Sequence, residues 1–272
     1  MALDEIIQKS AVVDTPRASD LAAKPDEWAD RFQLHVSTHV AMADMTDKWD
    51  AILKNLLRGR SATGLIHADT GYGKTSTAAA LWHYAENRDV VTVPPFAWNS
   101  IADMLTATHG WVRHRLKVKR PDLISDLEQQ YKKLVESSDE DRARRTSLEE
   151  NIPLDHAKRV VQSLKAKGEL TDSISPNRLI DYLRQATETL LEADYKGLLI
   201  LPDEFELFAN TNPDVAKNFS ELKDFIFPIF QEEHLPIGCV VLTYRRTFSD
   251  IQLREPYIFA RFNNPEKPSE NP

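Results

Sequence analysis

The stretch Ala68-Asp-Thr-Gly-Tyr-Gly-Lys-Thr75 decides the fold of this 272-residue chain, because of what stands on either side of it. Before it, residues 63–68 form a short apolar run with β-branched content, which is typical of a strand. After it, residues 74–87 are rich in alanine and leucine, which favours a helix. A glycine-containing turn that joins a strand directly to a helix is a building unit of α/β proteins.

The same alternation of strands and helices continues along the rest of the chain. Further strands are predicted at residues 90–93, 198–201 and 237–243. Further helices are predicted within residues 28–57, at 99–108, from Ser175-Pro176 onward and around 215–230. Because strands separated by helices pair in parallel, this order predicts an α/β fold, a three-layer sandwich with a mainly parallel sheet.

Three segments differ from this alternation. Residues 1–27 are polar and carry Pro16 and Pro25, so they are interpreted as a flexible N-terminal arm. Residues 113–172 are dense in charge and contain no convincing strand, which predicts a helical insertion. Residues 263–272 are polar and proline-rich and are expected to be disordered. The folded domain is therefore assigned to residues 28–262.

Residues 68–75 match the P-loop pattern that binds nucleotide phosphates, with alanine at the first glycine position. Gly71 and Gly73 let the backbone turn so that its N–H groups point at a phosphate, and the helix N-terminus adds its dipole. Lys74 is expected to reach the β- and γ-phosphates, and the Thr75 hydroxyl to ligate Mg²⁺. The residues predicted to bind the nucleotide are Ala68, Asp69, Thr70, Gly71, Tyr72, Gly73, Lys74, Thr75 and Ser76.

An acidic pair follows the most hydrophobic strand, in Gly197-Leu-Leu-Ile-Leu-Pro-Asp-Glu204. A P-loop needs a carboxylate near the magnesium ion and a second group that orients the attacking water. Asp203 is the predicted magnesium partner, and Glu204 is the predicted general base. Pro202 interrupts the apolar run and could shift the acids by one position, so Glu206 remains an alternative for the base.

Polar and basic residues follow the strand predicted at residues 237–243. Thr243 is placed to contact the γ-phosphate or the attacking water, and its alternative is a simple strand-ending threonine. Arg245, Arg246 and Arg261 are each able to stabilise the charge of phosphoryl transfer, and an ordinary surface role is the alternative for each. No Asn-Lys-x-Asp guanine reader follows the loop, so the predicted nucleotide is ATP.

Composition narrows the class of protein. No apolar run approaches the roughly eighteen residues of a membrane helix, and the acidic amino terminus does not resemble a signal peptide. The single cysteine, Cys239, permits no intrachain disulfide and lies in an apolar run, so a cytoplasmic protein without a membrane partner is expected.

The charge pattern leaves nucleic acid open as a partner. The net charge of −8 argues against a nucleic-acid coat. Residues 113–120 nevertheless carry five positive charges, which suit nucleic-acid phosphates or an acidic partner. A solvated edge is the favoured interpretation, because few aromatic residues interleave the charges.

The order of these motifs over residues 30–262 resembles that of the AAA+ and STAND ATPases. The resemblance implies the sheet order 5-1-4-3-2, with Lys74 and Thr75 on the nucleotide, Asp203 on magnesium and Glu204 activating water. It also implies Thr243 as the residue called sensor 1 and Arg261 as an arginine finger or lid arginine. The Asp203-Glu-Phe-Glu206 string and the long helical insertion look like ATPases of bacterial anti-phage systems, BREX-type ones included. A small helical lid is implied as well, and few residues follow Phe262, so a longer parent protein and an insertion that replaces the lid both stay open.

The predicted function is therefore ATP binding and hydrolysis coupled to assembly or remodelling, in a homo-oligomer or a larger protein complex. A nucleotide-dependent switch or scaffold with little turnover is the alternative, and a small-molecule phosphotransferase is the weakest of the three. The Asp203-Glu204 pair favours hydrolysis, because a pure binder does not need the second acid.

Overall fold

The computed structural model describes residues 15–38, 43–69, 73–167, 174–210 and 235–254. The strands in these ranges are β1 (Ala62–Ala68), β2 (Val90–Ala97), β3 (Gly197–Asp203) and β4 (Ile237–Tyr244). The helices are α1 (Ala18–Ala23), α2 (Pro25–Thr38), α3 (Ala43–Leu57), α4 (Lys74–Glu86), α5 (Ile101–Lys119), α6 (Ile124–Glu149), α7 (Leu154–Ala166), α8 (Pro176–Glu192), α9 (Phe205–Asn210) and α10 (Arg245–Arg254). A short 3-10 helix, Pro121–Leu123, joins α5 to α6.

The four strands form one sheet in the order β1-β4-β3-β2, and every pair is parallel. β1 and β4 end together, with Ala68 opposite Tyr244, and β2 and β3 end together, with Ala97 opposite Asp203. The ladder between β2 and β3 shifts between Val93 and Phe96, where two prolines without N–H groups stand. The carboxyl ends of all four strands therefore lie at one edge of the sheet.

The predicted α/β fold with a parallel sheet is confirmed, but the strand order differs from the predicted 5-1-4-3-2. No fifth strand lies beside β1 among the residues that the structure describes. The chain passes from β4 directly into α10 instead. The resemblance alone implies a fifth strand, since only four stretches of the sequence carry a strand pattern.

Helices cover both faces of the sheet. Every residue of β2 and β3 is buried, and side chains alternate between the two faces along a strand, so neither face of these strands is open to solvent. α3 lies close against one face: a Cβ added to Gly238 would stand 2.7 Å from Leu199 and 3.2 Å from Leu56 of α3. The missing side chain therefore lets α3 approach β4 closely.

The amino-terminal residues differ from the flexible arm predicted for residues 1–27. Residues 15–27, the described part of that segment, pack on the domain: Arg17 forms a parallel bridge with Ala97, and Leu21 is fully buried. A Cβ added to Gly110 of α5 would lie 2.6 Å from Ala22 of α1, so α1 and α5 pack tightly. The prolines that suggested a loose arm stand at element boundaries, with Pro25 as the first residue of α2.

Residues 113–167, the described part of the predicted insertion, are mostly helical and contain no strand. The core helix α5 extends through residue 119, beyond the predicted start of the insertion, and buries Trp111 and Leu116. α6 and α7 share a small apolar contact of their own, made by Ala143, Ala157 and Val161. The helix predicted around residues 215–230 and the tail at 263–272 lie outside the described residues.

Candidate functional site

The candidate site lies where β1, β3 and β4 end and α4 begins. Parallel pairing brings the carboxyl ends of neighbouring strands together, so Ala68, Asp203 and Thr243 meet at one edge although they are far apart in the sequence. α4 starts at Lys74, directly after the loop that follows β1. The fold thus brings both predicted motifs to the same place.

The described residues on either side of the loop are joined by contacts of Lys74 at the start of α4. Gly73 has a φ of 78°, a left-handed conformation that glycine adopts without strain, and it forms the N-cap of the helix. Lys74 Nζ donates hydrogen bonds to the carbonyl oxygens of Ala68 at 3.3 Å and Asp69 at 3.5 Å. It also stands 4.0 Å from the centre of the Tyr244 ring. Lys74 Nζ therefore lies between the end of β1 and the Tyr244 ring at the end of β4.

Thr70, Gly71 and Tyr72 of the loop lie outside the described residues, and so does Arg261, the predicted arginine finger or lid arginine. Asp69 is exposed, and its carboxylate lies 3.8 Å from Arg245 Nε. Ser76 is half-buried in the first turn of α4.

Thr75 and Asp203 are in direct contact. Thr75 Oγ1 donates a 2.6 Å hydrogen bond to Asp203 Oδ2, and the backbone N–H of Glu204 donates a 2.7 Å bond to Asp203 Oδ1. Only 2 % of Asp203 is exposed. Burial raises the pKa of the Asp203 carboxyl, while these hydrogen bonds, a further one from Thr15 and the charge of Lys74 oppose that rise.

Sequence reasoning missed Thr15, which contacts the same carboxylate. Thr15 Oγ1 donates a 3.1 Å hydrogen bond to Asp203 Oδ2 and lies 3.5 Å from Thr75 Oγ1. This contact spans 188 residues of sequence, and no local pattern around Thr15 marks it. Only the pairing of residues 15–17 with the end of β2 brings it to the site.

Glu204 lies directly after β3 in a strained conformation. Its φ of 53° is left-handed, which is uncommon for a residue with a side chain, and it turns the chain from β3 into α9. Burial raises the pKa of the Glu204 carboxyl, and the charges of Asp203 and Glu206 raise it further, whereas Lys74 lowers it. A raised pKa makes a carboxylate a better proton acceptor, which suits the predicted role as general base.

Glu206, the alternative base, is bonded to the end of β4. Its Oε1 atom accepts hydrogen bonds from Thr243 Oγ1 at 2.6 Å and from Tyr244 N at 2.5 Å. Its Oε2 atom is buried and has no partner among the described residues. Thr243 is fully buried, and its hydroxyl donates its hydrogen bond to Glu206. These contacts link β4 to the acidic segment after β3.

The side-chain atoms that contact one another at Asp203 are oxygens: the Asp203 carboxylate and the Thr75 and Thr15 hydroxyls. Among the described residues, no group of three or more His, Cys, Asp or Glu side chains is arranged to hold a metal. Mg²⁺ typically binds through one or two carboxylates together with substrate phosphates and waters. The Asp203 carboxylate, with the Thr75 and Thr15 hydroxyls beside it, fits such an ion when a nucleotide is bound.

The basic run at residues 113–120 is largely paired within the chain. Arg113 Nε lies 2.6 Å from the carboxylate of Glu128, and Arg115 and Arg120 pair with acidic residues as well, at 2.9 Å and 2.7 Å. Lys119 Nζ lies 4.3 Å from the centre of the Tyr195 ring. The interpretation of this run as a solvated edge, with nucleic acid or an acidic partner as the alternative, stays a prediction.

Comparison of the chain with models of protein families, with curated proteins and with solved structures found no match. The residues of the site therefore carry the functional argument. Among the described residues, no helix is both long enough and apolar enough to cross a membrane.

Proposed function

We propose that the chain is an ATP-binding and ATP-hydrolysing P-loop domain. The observation that carries the proposal is the 2.6 Å hydrogen bond from Thr75 Oγ1 to Asp203 Oδ2. The loop pattern and the acidic strand end are independent features of the sequence, 128 residues apart at these two positions. Their contact is what a site for a nucleotide and its magnesium ion requires.

Each residue of the site has a distinct part in this function. Lys74 binds the β- and γ-phosphates, Thr75 and Asp203 hold Mg²⁺, and Glu204 accepts a proton from the attacking water. When bound, Mg²⁺ neutralises charge on the phosphate oxygens. ATP is proposed because no guanine-reading motif follows the loop.

The biological setting belongs to the same proposal. The resemblance to AAA+ and STAND ATPases supports coupling of the nucleotide state to assembly or remodelling in a homo-oligomer or a larger complex. The resemblance to anti-phage ATPases suggests bacterial defence as the process, in the cytoplasm.

A nucleotide-dependent switch with little turnover is the second candidate. The observation that favours it is that Lys74, Thr75 and Asp203 all have partners within the chain. The polar groups of such a site are paired without a nucleotide, and a nucleotide that displaces these contacts would change the surfaces that bind partners. Measured turnover separates the two candidates.

The proposal is tested by titration with a fluorescent ATP analogue and by steady-state hydrolysis. Lys74→Ala is expected to abolish tight binding, whereas Lys132→Ala, an exposed lysine of α6, is the matched control and retains it. Glu204→Gln is expected to keep Mg²⁺-ATP bound but to slow hydrolysis at least about a hundredfold, as expected for loss of a general base. Unchanged affinity in Lys74→Ala would eliminate the phosphate site.

A further inference from the structure

The geometry points to Thr15 as a third residue of the magnesium site, beside Thr75 and Asp203. This inference rests on the proposed nucleotide function. Thr15 Oγ1 lies 3.1 Å from Asp203 Oδ2 and 3.5 Å from Thr75 Oγ1, and Thr75 Oγ1 lies 2.6 Å from the same carboxylate oxygen. Three oxygens from three distant parts of the chain thus meet at one point.

The two hydroxyl groups stand in the same chemical relation to Asp203. Each donates its proton to Oδ2, and a hydroxyl oxygen keeps two lone pairs when its proton is donated. The Thr15 oxygen can therefore bind a hydrated cation without losing its bond to the carboxylate, as is proposed for Thr75.

Residues 15–17 are held against the end of β2, next to the site. The N–H of Ala97 donates a 2.8 Å hydrogen bond to the carbonyl oxygen of Pro16, and Arg17 forms a parallel bridge with Ala97. Ala97 is the register partner of Asp203 on the neighbouring strand. Pro16 restricts Thr15 to an extended conformation, and α1 follows at once with Leu21 fully buried. The segment therefore pairs with the end of β2, the edge strand of the described sheet, and this pairing places Thr15 next to Asp203.

This arrangement couples the metal site to the edge of the sheet. Thr15 reaches Asp203 only while residues 15–17 are paired with Ala97. By thermodynamic linkage, if this pairing strengthens binding of Mg²⁺-nucleotide, then Mg²⁺-nucleotide strengthens the pairing by the same factor. The proposed regulation is thus that the N-terminal segment reports whether Mg²⁺-nucleotide is bound.

The test is a Mg²⁺ titration of the full chain at a fixed concentration of a fluorescent ATP analogue. Thr15→Val removes the hydroxyl with little change in shape, and the half-saturating Mg²⁺ concentration is expected to rise about tenfold, as for loss of a polar contact to a charged group. Thr15→Ser restores the hydroxyl and is expected to recover most of that loss. Thr106→Val, the same substitution on α5 away from the site, is the matched control.

A second measurement keeps the inference testable even if Thr15→Val folds poorly. Hydrogen exchange of the Ala97 amide in the wild-type chain is expected to slow when Mg²⁺-nucleotide is added, compared with nucleotide in EDTA. If the exchange rate of the Ala97 amide is the same with Mg²⁺-nucleotide as with nucleotide in EDTA, the proposed coupling is wrong.

The outcomes separate this inference from the proposed function. A wild-type chain that binds no nucleotide removes both. A wild-type chain that binds nucleotide with a clear Mg²⁺ dependence, which Thr15→Val leaves unchanged, removes Thr15 from the site and leaves the function standing. A Thr15→Val chain that loses affinity equally with Mg²⁺ and in EDTA shows a purely structural role for Thr15 and also overturns the inference.

Discussion

Replacing Glu206 by alanine is expected to destabilise the fold. Glu206 Oε1 accepts hydrogen bonds from Thr243 Oγ1 at 2.6 Å and from Tyr244 N at 2.5 Å, and Thr243 is fully buried. A hydrogen bond to a charged group contributes about 1.5 kcal/mol or more, so losing both costs about 3 kcal/mol. In a chain of this size each kcal/mol lowers Tm by about 2–4 °C, so the expected decrease is about 6–12 °C.

Thermal unfolding followed by circular dichroism measures this effect. Glu188→Ala, an exposed glutamate of α8, is the matched control and is expected to leave Tm nearly unchanged. Glu206→Gln keeps a carbonyl oxygen that can accept both hydrogen bonds, so it is expected to recover much of the stability. Glu204→Gln is expected to lower hydrolysis with little change in Tm, because Glu204 is the proposed base.

A double-mutant cycle isolates the contact itself. Glu206→Ala and Thr243→Val remove opposite ends of one hydrogen bond, so their combined effect is expected to be smaller than the sum by about 1 kcal/mol or more. Effects that add within about 0.5 kcal/mol would refute the assigned contact.

If Glu206→Gln stalls turnover and Glu204→Gln does not, Glu206 is the base.

Two further predictions concern pH and self-association. Burial lowers the pKa of the His109 imidazole, although the nearby Glu128 carboxylate opposes this. The unfolded chain therefore binds a proton that the folded chain does not, so the free energy of unfolding falls as the pH drops from about 6.5 toward the lower folded pKa. His109→Gln is expected to flatten that slope in urea titrations, and equal slopes in the wild-type and variant chains would contradict this. Specific ATPase activity is expected to rise with protein concentration, because an arginine supplied by a neighbour typically adds about three to five orders of magnitude. Mixing Lys74→Ala with Arg261→Ala chains should then recover activity, and a flat concentration profile without recovery would show that each site works alone.

Local sequence patterns predicted the parts of the fold that depend on local chemistry. β3 and β4 are buried on both faces, so their sequences are continuous apolar runs that stand out from the rest of the chain. Lys74 and Asp203 could be predicted as candidate site residues because the P-loop pattern and an acid at a strand end each combine particular residue types at short spacing. The structure brings these two motifs to one edge of the sheet.

The errors fall where contacts with distant residues override the local signal. The prolines after Val93 predict the end of β2, yet the strand continues to Ala97 because β2 is at the edge of the sheet, where proline is tolerated. Helix α5 was predicted to end at Thr108, but it continues past Gly110, where the missing side chain admits α1. Thr15 could not be predicted, since its role depends on a contact across 188 residues.

The buried carboxylate of Asp203 accepts hydrogen bonds from three segments that are distant from one another in the sequence. Burial favours the neutral carboxyl, and hydrogen bonds from Thr75, the Glu204 backbone and Thr15, together with the charge of Lys74, favour the carboxylate. The carboxylate is the form in which Asp203 would hold the proposed Mg²⁺ ion. Thr75 and Glu204 belong to the central elements α4 and β3 and their junctions, whereas Thr15 is held by pairing at the sheet edge. Of these hydrogen-bond donors, Thr15 is therefore the one whose position depends on pairing at the edge of the sheet.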